Sequence, residues 1–175
     1  IFTATYFGIH YLGKINDIIA HFRETSVSVK YDTVQILVSN KIQDPDSSYC
    51  DKTYPVERAV SRLSDNRKSY LGEYSYLALA KLLKGPTEHE KKNGYFSSIN
   101  QGARIKQIII EDGTARVEFS VSGENELIAS YDRAEAGSCK VQTVRSQIEN
   151  TLKQFPEIKN VVILVDGGVK EVLQP

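Results

Sequence analysis

An Asp-Gly pair at positions 112 and 113 lies between two runs of strand-forming residues. Such a pair favours the positive backbone angles of a type I′ turn, so residues 105–111 and 114–120 are predicted to form a tight β-hairpin. In the second run, apolar side chains at positions 115, 117 and 119 alternate with polar ones. This alternation is typical of a strand with one buried face and one solvated face.

Two segments have the periodicity of amphipathic helices. Between residues 70 and 84, apolar residues recur three and four positions apart, and the Gly-Pro pair at 85–86 is a stop signal. Residues 141–155 show the same spacing. Ser138 is the predicted N-cap of this second helix, and Pro156 is predicted to end it.

Three further segments are predicted strands. Residues 34–38 have β-branched side chains at every second position. In residues 54–60, Tyr54, Val56 and Val60 predict a second, short strand. Pro55 indicates that the second of them lies near a sheet edge or a strand start, because proline cannot donate a ladder hydrogen bond. The five apolar residues 161–165 are typical of a strand buried on both faces. The glycine-rich stretch 166–168 then predicts a turn into a short tail.

Polar segments separate these elements. Residues 87–93 and 121–139 are predicted loops, and the second is long enough to be either functional or mobile. A weaker apolar periodicity over residues 14–22 predicts a short N-terminal helix. The order is strand, strand, helix, hairpin, helix, strand. This order predicts an α+β fold, a two-layer sandwich with two main helices packed on one face of a mixed β-sheet.

The length and charge of the chain restrict its organisation and its partners. Its 175 residues suffice for one domain with a full hydrophobic core, or at most for two small ones. The 22 basic and 22 acidic residues give no net charge, which does not favour nucleic acid or an anionic membrane as a partner. No methionine occurs, even at position 1, so we expect a fragment of a longer protein. The uncharged run 1–13 is shorter than the roughly 20 residues of a membrane span and lacks the basic leader of a signal peptide.

Cys50 and Cys139 are the two cysteines of the sequence, and three interpretations of them are open. A disulfide would close a loop of about ninety residues and stabilise the fold by about 4 to 5 kcal/mol in the loop-entropy model. The two side chains could instead be free thiols. Cys139 could also be a nucleophile, because a helix N-terminus lowers a thiol pKa, but such a site would need a histidine nearby.

The other chemistry-bearing residues form no evident catalytic or metal site. His89 lies in a charged segment and is interpreted as a solvated surface residue. On one helix, His10 and His21 would lie about 16 Å apart, too far to share a metal. Asp112 and Asp166 each precede glycine and are explained as turn residues. Because no known catalytic or phosphate-binding motif occurs, we predict no catalytic residue, no metal and no cofactor.

Tyrosine is frequent, with ten residues in the chain. Its large apolar body and polar tip suit interfaces, but the irregular spacing favours tyrosines that fill the edge of the core. The alternative is an aromatic binding surface near residues 87–99 and 121–139. The candidates for such a surface are Tyr95, Phe96 and Tyr131. The tyrosines considered together are Tyr49, Tyr54, Tyr70, Tyr74, Tyr76, Tyr95 and Tyr131.

An ordered series of short segments resembles the GerMN domain. No one segment is specific, but the series is, and it covers most of the chain from about residue 34 to residue 175. The segments are YPVER at 54–58, LLKGPT at 82–87, GYFSSI at 94–99, the hairpin around 112–113 that leads to VEFS at 117–120, GSCKV at 137–141, TLKQFP at 151–156 and the strand at 161–166.

This resemblance implies a GerMN-like domain at residues 31–175, preceded by an N-terminal extension or linker at residues 1–30. GerMN domains occur in bacterial sporulation and spore germination proteins and in envelope lipoproteins. The resemblance therefore implies an extracytoplasmic, membrane-anchored protein whose anchor lies outside this sequence. In an oxidising compartment a disulfide between Cys50 and Cys139 is favoured over free thiols. The resemblance implies no catalytic residue and no cofactor.

The expected function is that of a non-catalytic cell-envelope module that binds envelope proteins or associates with itself. A second hypothesis is binding of cell-wall glycan or peptide, that is peptidoglycan, through exposed aromatic side chains. A third is a thiol enzyme with Cys139 as its nucleophile. Nucleic acid is not an expected partner, and the membrane is expected to be one only through the anchor.

Overall fold

The computed structural model describes residues 30–45, 50–62, 70–120, 127 and 139–169. These residues form seven strands and three helices. The strands are β1 (Lys30–Asn40), β2 (Tyr54–Arg62), β3 (Tyr95–Phe96), β4 (Arg104–Glu111), β5 (Thr114–Ser120), β6 (Asn160–Val165) and β7 (Gly168–Val169). The helices are α1 (Tyr70–Lys84), α2 (Glu88–Lys92) and α3 (Cys139–Lys153).

The strands lie in two sheets, and the α+β class predicted from the sequence is confirmed. The first sheet has the antiparallel order β2-β1-β3. The second has the order β4-β5-β6-β7 and is mixed, because β5 and β6 are parallel while its other pairs are antiparallel. The sequence did not predict the division into two sheets.

The predicted hairpin is confirmed as the pair β4 and β5. Asp112 and Gly113 both have positive φ angles, 48° and 73°, as a type I′ turn requires. Ala115, Val117 and Phe119 are fully buried, so one face of β5 packs into the core as the alternating pattern indicated.

A second Asp-Gly turn follows β6. Asp166 and Gly167 have φ angles of 49° and 79°, and the chain folds back to pair β7 with β6. The predicted short tail is therefore wrong for residues 168 and 169. The same turn chemistry that located the first hairpin would have located this one. Along β6 buried residues alternate with half-buried ones, so burial on both faces is only partial.

Helix α1 has the predicted bounds, and Gly85 after it adopts a φ of 70° before Pro86. The predicted loop at residues 87–93 is wrong, because α2 begins there. Thr87 caps α2 by accepting a hydrogen bond from Glu90 N, and the Glu90 carboxylate accepts one from Thr87 N at 2.7 Å. This reciprocal capping box has a sequence signature, Thr-x-x-Glu, that periodicity analysis does not detect.

Helix α3 covers the edge of β1 that faces away from β2, where no strand of the described residues pairs with Gln35 and Leu37. Its Thr151 side chain accepts a hydrogen bond from Leu37 N at 2.9 Å. The Gln154 amide pairs with the backbone of Gln35, accepting from N at 2.9 Å and donating to O at 2.8 Å. The side chains of Thr151 on α3 and of Gln154 just after it thus take the place of a neighbouring strand, and they give these backbone groups partners within the protein.

Both main helices pack against β1, and α1 also packs against β4. One core cluster therefore joins the two sheets through the helices. Its fully buried members include Ile36, Leu79, Leu82, Val117, Phe119, Ile148 and Ile163.

Some predictions fall outside the described residues. These are the helix at 14–22, the N-terminal extension at 1–30 apart from Lys30, which is the first residue of β1, and the Ser138 N-cap. Within the predicted loop at 121–139, Leu127 is described before α3 begins at Cys139. Leu127 is buried, and its carbonyl accepts a hydrogen bond from Asn100 N at 2.9 Å.

Candidate functional site

Cys50 and Cys139 form a disulfide, with their Cα atoms 4.8 Å apart. The bond joins the segment before β2 to the first residue of α3. The Thr143 hydroxyl lies 2.9 Å from the carbonyl oxygen of Cys50 and 2.7 Å from that of Cys139, which ties both ends to the first turn of the helix. Of the three interpretations of the cysteines, the structure has the disulfide, so Cys139 is not a free thiol here.

The two aromatic candidates on β3 have different environments. Tyr95 and Phe96 pair with Asn40 and Ser39 of β1, so their side chains point to opposite faces of the sheet. Tyr95 is half-buried and packs against the core. Phe96 is 37% exposed. The structure therefore places Phe96 on the surface and Tyr95 in the core edge, while Tyr131 lies outside the described residues.

A buried amide holds the backbone at Phe96. Gln147 of α3 is fully buried and donates from Nε2 to Ser39 Oγ at 3.0 Å and to the Phe96 carbonyl at 3.4 Å. Its Oε1 accepts a hydrogen bond from Ser97 Oγ at 2.8 Å. Because the donors and the acceptor of this amide are all used, β3 is fixed against the helix.

The chain before β3 is fixed by a second buried amide. Asn40 Oδ1 accepts hydrogen bonds from the N–H groups of Ile42 and Gln43 at 2.8 and 3.1 Å, and Nδ2 donates to the Asn93 carbonyl at 3.1 Å. Gly94 lies against this amide with a φ of 86°. A Cβ at position 94 would lie 2.8 Å from Asn40 Oδ1, so only glycine fits without displacement.

Phe96 separates two shallow clefts, and the three together are called the Phe96 surface. The first cleft has a volume of about 220 Å³ and contains the disulfide; its polar side chains include Asp44, Lys52, Ser98 and Lys140. The second has a volume of about 150 Å³ and is lined mainly by apolar groups, among them Leu83, Pro86 and Ile99. Both are smaller than the roughly 300 to 1,000 Å³ of typical ligand pockets, so they suit projecting groups of a larger partner better than an enclosed small molecule.

An ion pair supports the rim of the second cleft. Arg58 on β2 binds the Glu90 carboxylate with two hydrogen bonds of 2.8 and 2.6 Å, and Arg58 also donates to the carbonyl of Gly85 at 3.4 Å. The hydrogen bond from Arg58 is the largest cause that holds the pKa of Glu90 below its ordinary value, against a smaller opposing effect of burial. Glu90 thus joins β2, the end of α1 and the cap of α2.

A second carboxylate with a lowered pKa lies on α3. Burial of Glu149 raises its pKa, but the hydrogen bonds from Arg145 and Lys153 together outweigh this effect and the net pKa is lowered. The three residues are spaced four apart on one helix face. This spacing is typical of an ion-pair network that stabilises a helix.

The remaining sequence candidates do not converge on a site. His89 is exposed, as predicted, although it lies on α2 rather than in a loop. Asp112 and Asp166 are the turn residues described above. Among the described residues, no group of three or more His, Cys, Asp and Glu side chains could hold a metal ion. Within the same part of the chain, no helix has the length and apolar character that crossing a membrane requires.

Sequence reasoning missed the residues that position Phe96. Gln147 and Ser39 are buried polar side chains that bind each other across 108 positions of the chain. Buried Asn40 binds two nearby N–H groups and the distant carbonyl of Asn93. One local signal was the amide of Gln147 on the otherwise apolar face of a predicted helix, since a buried polar group requires partners.

A family model described as Germane, sporulation and spore germination, matches residues 42–171, about three quarters of the chain. No curated protein shows a significant match.

Three solved structures are similar to this chain at 17 to 19% identity and with TM-scores below 0.5. The first GerMN domain of the sporulation protein GerM from Bacillus subtilis is 18% identical, with a TM-score of 0.48 over 80% of this chain and 86% of that one. The tandem GerMN domains of the same protein are 19% identical, with a TM-score of 0.44 over 80% of this chain and 40% of that one. This chain thus spans less than half of the tandem structure. A candidate lipoprotein from Clostridium perfringens is 17% identical, with a TM-score of 0.44 and coverages of 85% and 83%.

Proposed function

Because the chain belongs to the Germane family of sporulation and spore germination proteins, we propose that it is a non-catalytic cell-envelope module that binds other proteins. This membership confirms the GerMN-type domain that the sequence resembles. The family is described by a cellular process and not by an enzymatic activity, so the proposed role is recognition or assembly.

The proposed location is extracytoplasmic, with an anchor to the membrane. The disulfide between Cys50 and Cys139 supports this location, because disulfides persist in oxidising compartments and are rare in the cytosol.

The exposed Phe96 side chain is the observation that carries the proposed binding role. An aromatic ring on a rigid backbone gives a large contact area with little loss of side-chain entropy on binding. Here Gln147 fixes the backbone beneath the ring, and a cleft on each side could receive the side chains of a partner.

Binding of cell-wall glycan or peptide is the second candidate. The first cleft favours it, because the Phe96 ring borders the side chains of Lys52, Ser98 and Lys140, which can donate hydrogen bonds to hydroxyl, amide or carboxylate groups. An aromatic face beside polar donors is a suitable surface for a sugar ring or for a short peptide.

A photocrosslinking experiment in the cells that encode the full-length protein tests the first proposal. A benzophenone amino acid replaces Ser98, beside Phe96, and irradiated adducts are identified by mass spectrometry. We expect a discrete protein adduct in the envelope fraction that the substitution Phe96→Ala abolishes. The matched control is Tyr76→Ala, since Tyr76 is also an exposed aromatic residue, 50% exposed, but lies on α1 away from both clefts.

The same variants distinguish the two candidates. Purified protein that sediments with peptidoglycan in a Phe96-dependent manner, without a protein adduct in cells, would favour the second candidate over the first. An adduct that persists in Phe96→Ala, or that is lost equally in Tyr76→Ala, would contradict a role for the Phe96 surface. Recovery of the protein from the cytosol with reduced thiols would contradict the proposed location.

A further inference from the structure

In the part of the chain that the structure describes, the two sheets end in four edge strands, and three of these are poor templates for another strand. Strands β3 and β7 are two residues long. In β2, Pro55 lies opposite Leu37, whose N–H is donated away from β2 to Thr151. The backbone nitrogen of Pro55 therefore lies on the outer edge of β2, where a proline offers no donor to an added strand.

Strand β4 is different, because it has eight residues without proline and one of its edges pairs with no strand among the described residues. In a hairpin with a two-residue turn, the residues on either side of the turn, here Glu111 and Thr114, form a hydrogen-bonded pair. Hydrogen-bonded and non-hydrogen-bonded pairs alternate along an antiparallel ladder, so the backbone N–H and C=O of Ile108 and Ile110 point away from β5. An added strand would find these groups in the positions that β pairing needs.

The side chains along β4 are arranged almost symmetrically about Ile108. Arg104 and Glu111 lie at its two ends, and Ile105 and Ile110 both face the core side. A bulge between Ile105 and Gln107 accommodates the extra residue in the first half of the strand. Lys106 does not block the edge, because its ammonium group is held 2.6 Å from the Glu118 carboxylate of β5.

We propose that β4 is a self-association edge at which a second copy of this chain adds its own β4 antiparallel, with a two-fold axis at Ile108. In this pairing Ile105 lies opposite Ile110 of the second copy, and the bulge keeps core-facing residues opposite core-facing residues. Arg104 lies opposite Glu111 of the second copy, twice by symmetry. The partner is a second copy because β4 has a positive residue near its first end and a negative residue at its last end. When two copies pair antiparallel, opposite charges therefore meet at both ends.

An interface of one strand pair is small compared with the roughly 1,600 Å² of a stable complex, so we expect weak association of the free protein. Tethering to a membrane would raise the local concentration and favour it. This inference rests on the proposed function only in that it names one protein partner, a second copy of this chain. The edge of β4 is separate from the Phe96 surface.

Charge reversal tests this pairing by sedimentation equilibrium of the oxidised protein from about 1 µM to about 1 mM. We expect concentration-dependent dimers of the wild-type chain. Either Arg104→Glu or Glu111→Arg should weaken them by about tenfold or more, since like charges then face each other at both ends. An equimolar mixture of the two variants should restore dimers, because each end again pairs opposite charges.

The matched control is Lys92→Glu, a charge reversal at an exposed residue of α2, which should leave dimerisation unchanged. Circular dichroism and thermal unfolding verify that each variant is folded, since Arg104 also donates to the carbonyl groups of Gln101 and Ala103. A chain that remains monomeric throughout the range, or dimers that both single variants leave intact, would overturn the proposal. The photocrosslinking experiment separates this proposal from the proposed function. If the dimers are not found but the Phe96-dependent adduct persists in Arg104→Glu, the β4 pairing is wrong and the proposed function is not affected.

Discussion

The substitution Thr151→Val tests whether helix α3 replaces a strand along β1. Valine has nearly the shape of threonine, so the change removes the hydroxyl without creating a cavity. The N–H of Leu37 then loses the acceptor that lies 2.9 Å away. Because the valine methyl groups fill the space, water has little access to this N–H from the side of the helix.

The expected loss of stability depends on how far the Leu37 N–H is buried when it loses its acceptor. A buried donor that loses its partner costs about 1 to 3 kcal/mol, and the partial exposure of this bond favours the lower part of that range. Thr151 itself is fully buried, so the valine recovers part of the cost by removing a polar group from the core. We therefore expect a net loss of about 1 to 2 kcal/mol in the free energy of unfolding.

Urea unfolding of the oxidised protein measures this loss, and thermal unfolding should show a decrease in Tm of about 2 to 4 °C per kcal/mol. The control is Thr33→Val, since Thr33 is exposed on the same strand and its change should be neutral. Hydrogen exchange gives a local measurement, because the Leu37 amide should exchange faster in Thr151→Val. Equal stability of the two variants, with unchanged exchange at Leu37, would refute the assignment of α3 as the cover of this edge.

Three further predictions concern the supports of the fold. Replacing the disulfide by Cys50→Ser and Cys139→Ser together should lower the free energy of unfolding by up to about 4 to 5 kcal/mol, and reduced wild-type protein measured in parallel should lose a similar amount. The folded-state pKa of Glu90 lies below its ordinary value of 4.5, so the charged carboxylate stabilises the fold above that pH and this stabilisation is lost as the pH falls through the folded-state pKa. Acid titrations of stability should therefore be flatter for Glu90→Gln than for the wild type, and parallel curves would contradict the ion pair. Gly94→Ala should cost more than about 1 kcal/mol, whereas Gly72→Ala, in open space on α1, should be neutral or stabilising; equal effects in thermal unfolding would rule out the crowding at position 94.

The sequence could not indicate which of the two neighbouring aromatic residues on β3 is exposed. The sequence proposed both Tyr95 and Phe96 as binding residues, since both are aromatic and near a predicted loop. Which of them is exposed depends on the face of β3 that packs against the core, and this face is decided by the pairing with Ser39 and Asn40 more than fifty residues earlier. A two-residue strand has too little alternation of its own to indicate that choice.

The sequence by itself determined the features that depend on near neighbours in the chain. The spacing of apolar residues located α1 and α3, and the turn chemistry of Asp112 and Gly113 located the β4–β5 hairpin, because helical periodicity and positive φ angles are set within a few residues. The ordered segments also determined the family.

Only the tertiary structure decided how these elements meet. It divided the strands between two sheets, gave Thr151 and Gln154 the role of a neighbouring strand for β1, and placed Gln147 under Phe96. The sequence around a polar side chain does not indicate which backbone group it will bind, since that group lies more than a hundred residues away for Thr151 and Gln154. The buried pairings, those of Thr151 and Gln147, arise because burial removes water from the polar side chain, which must then find its partner within the protein.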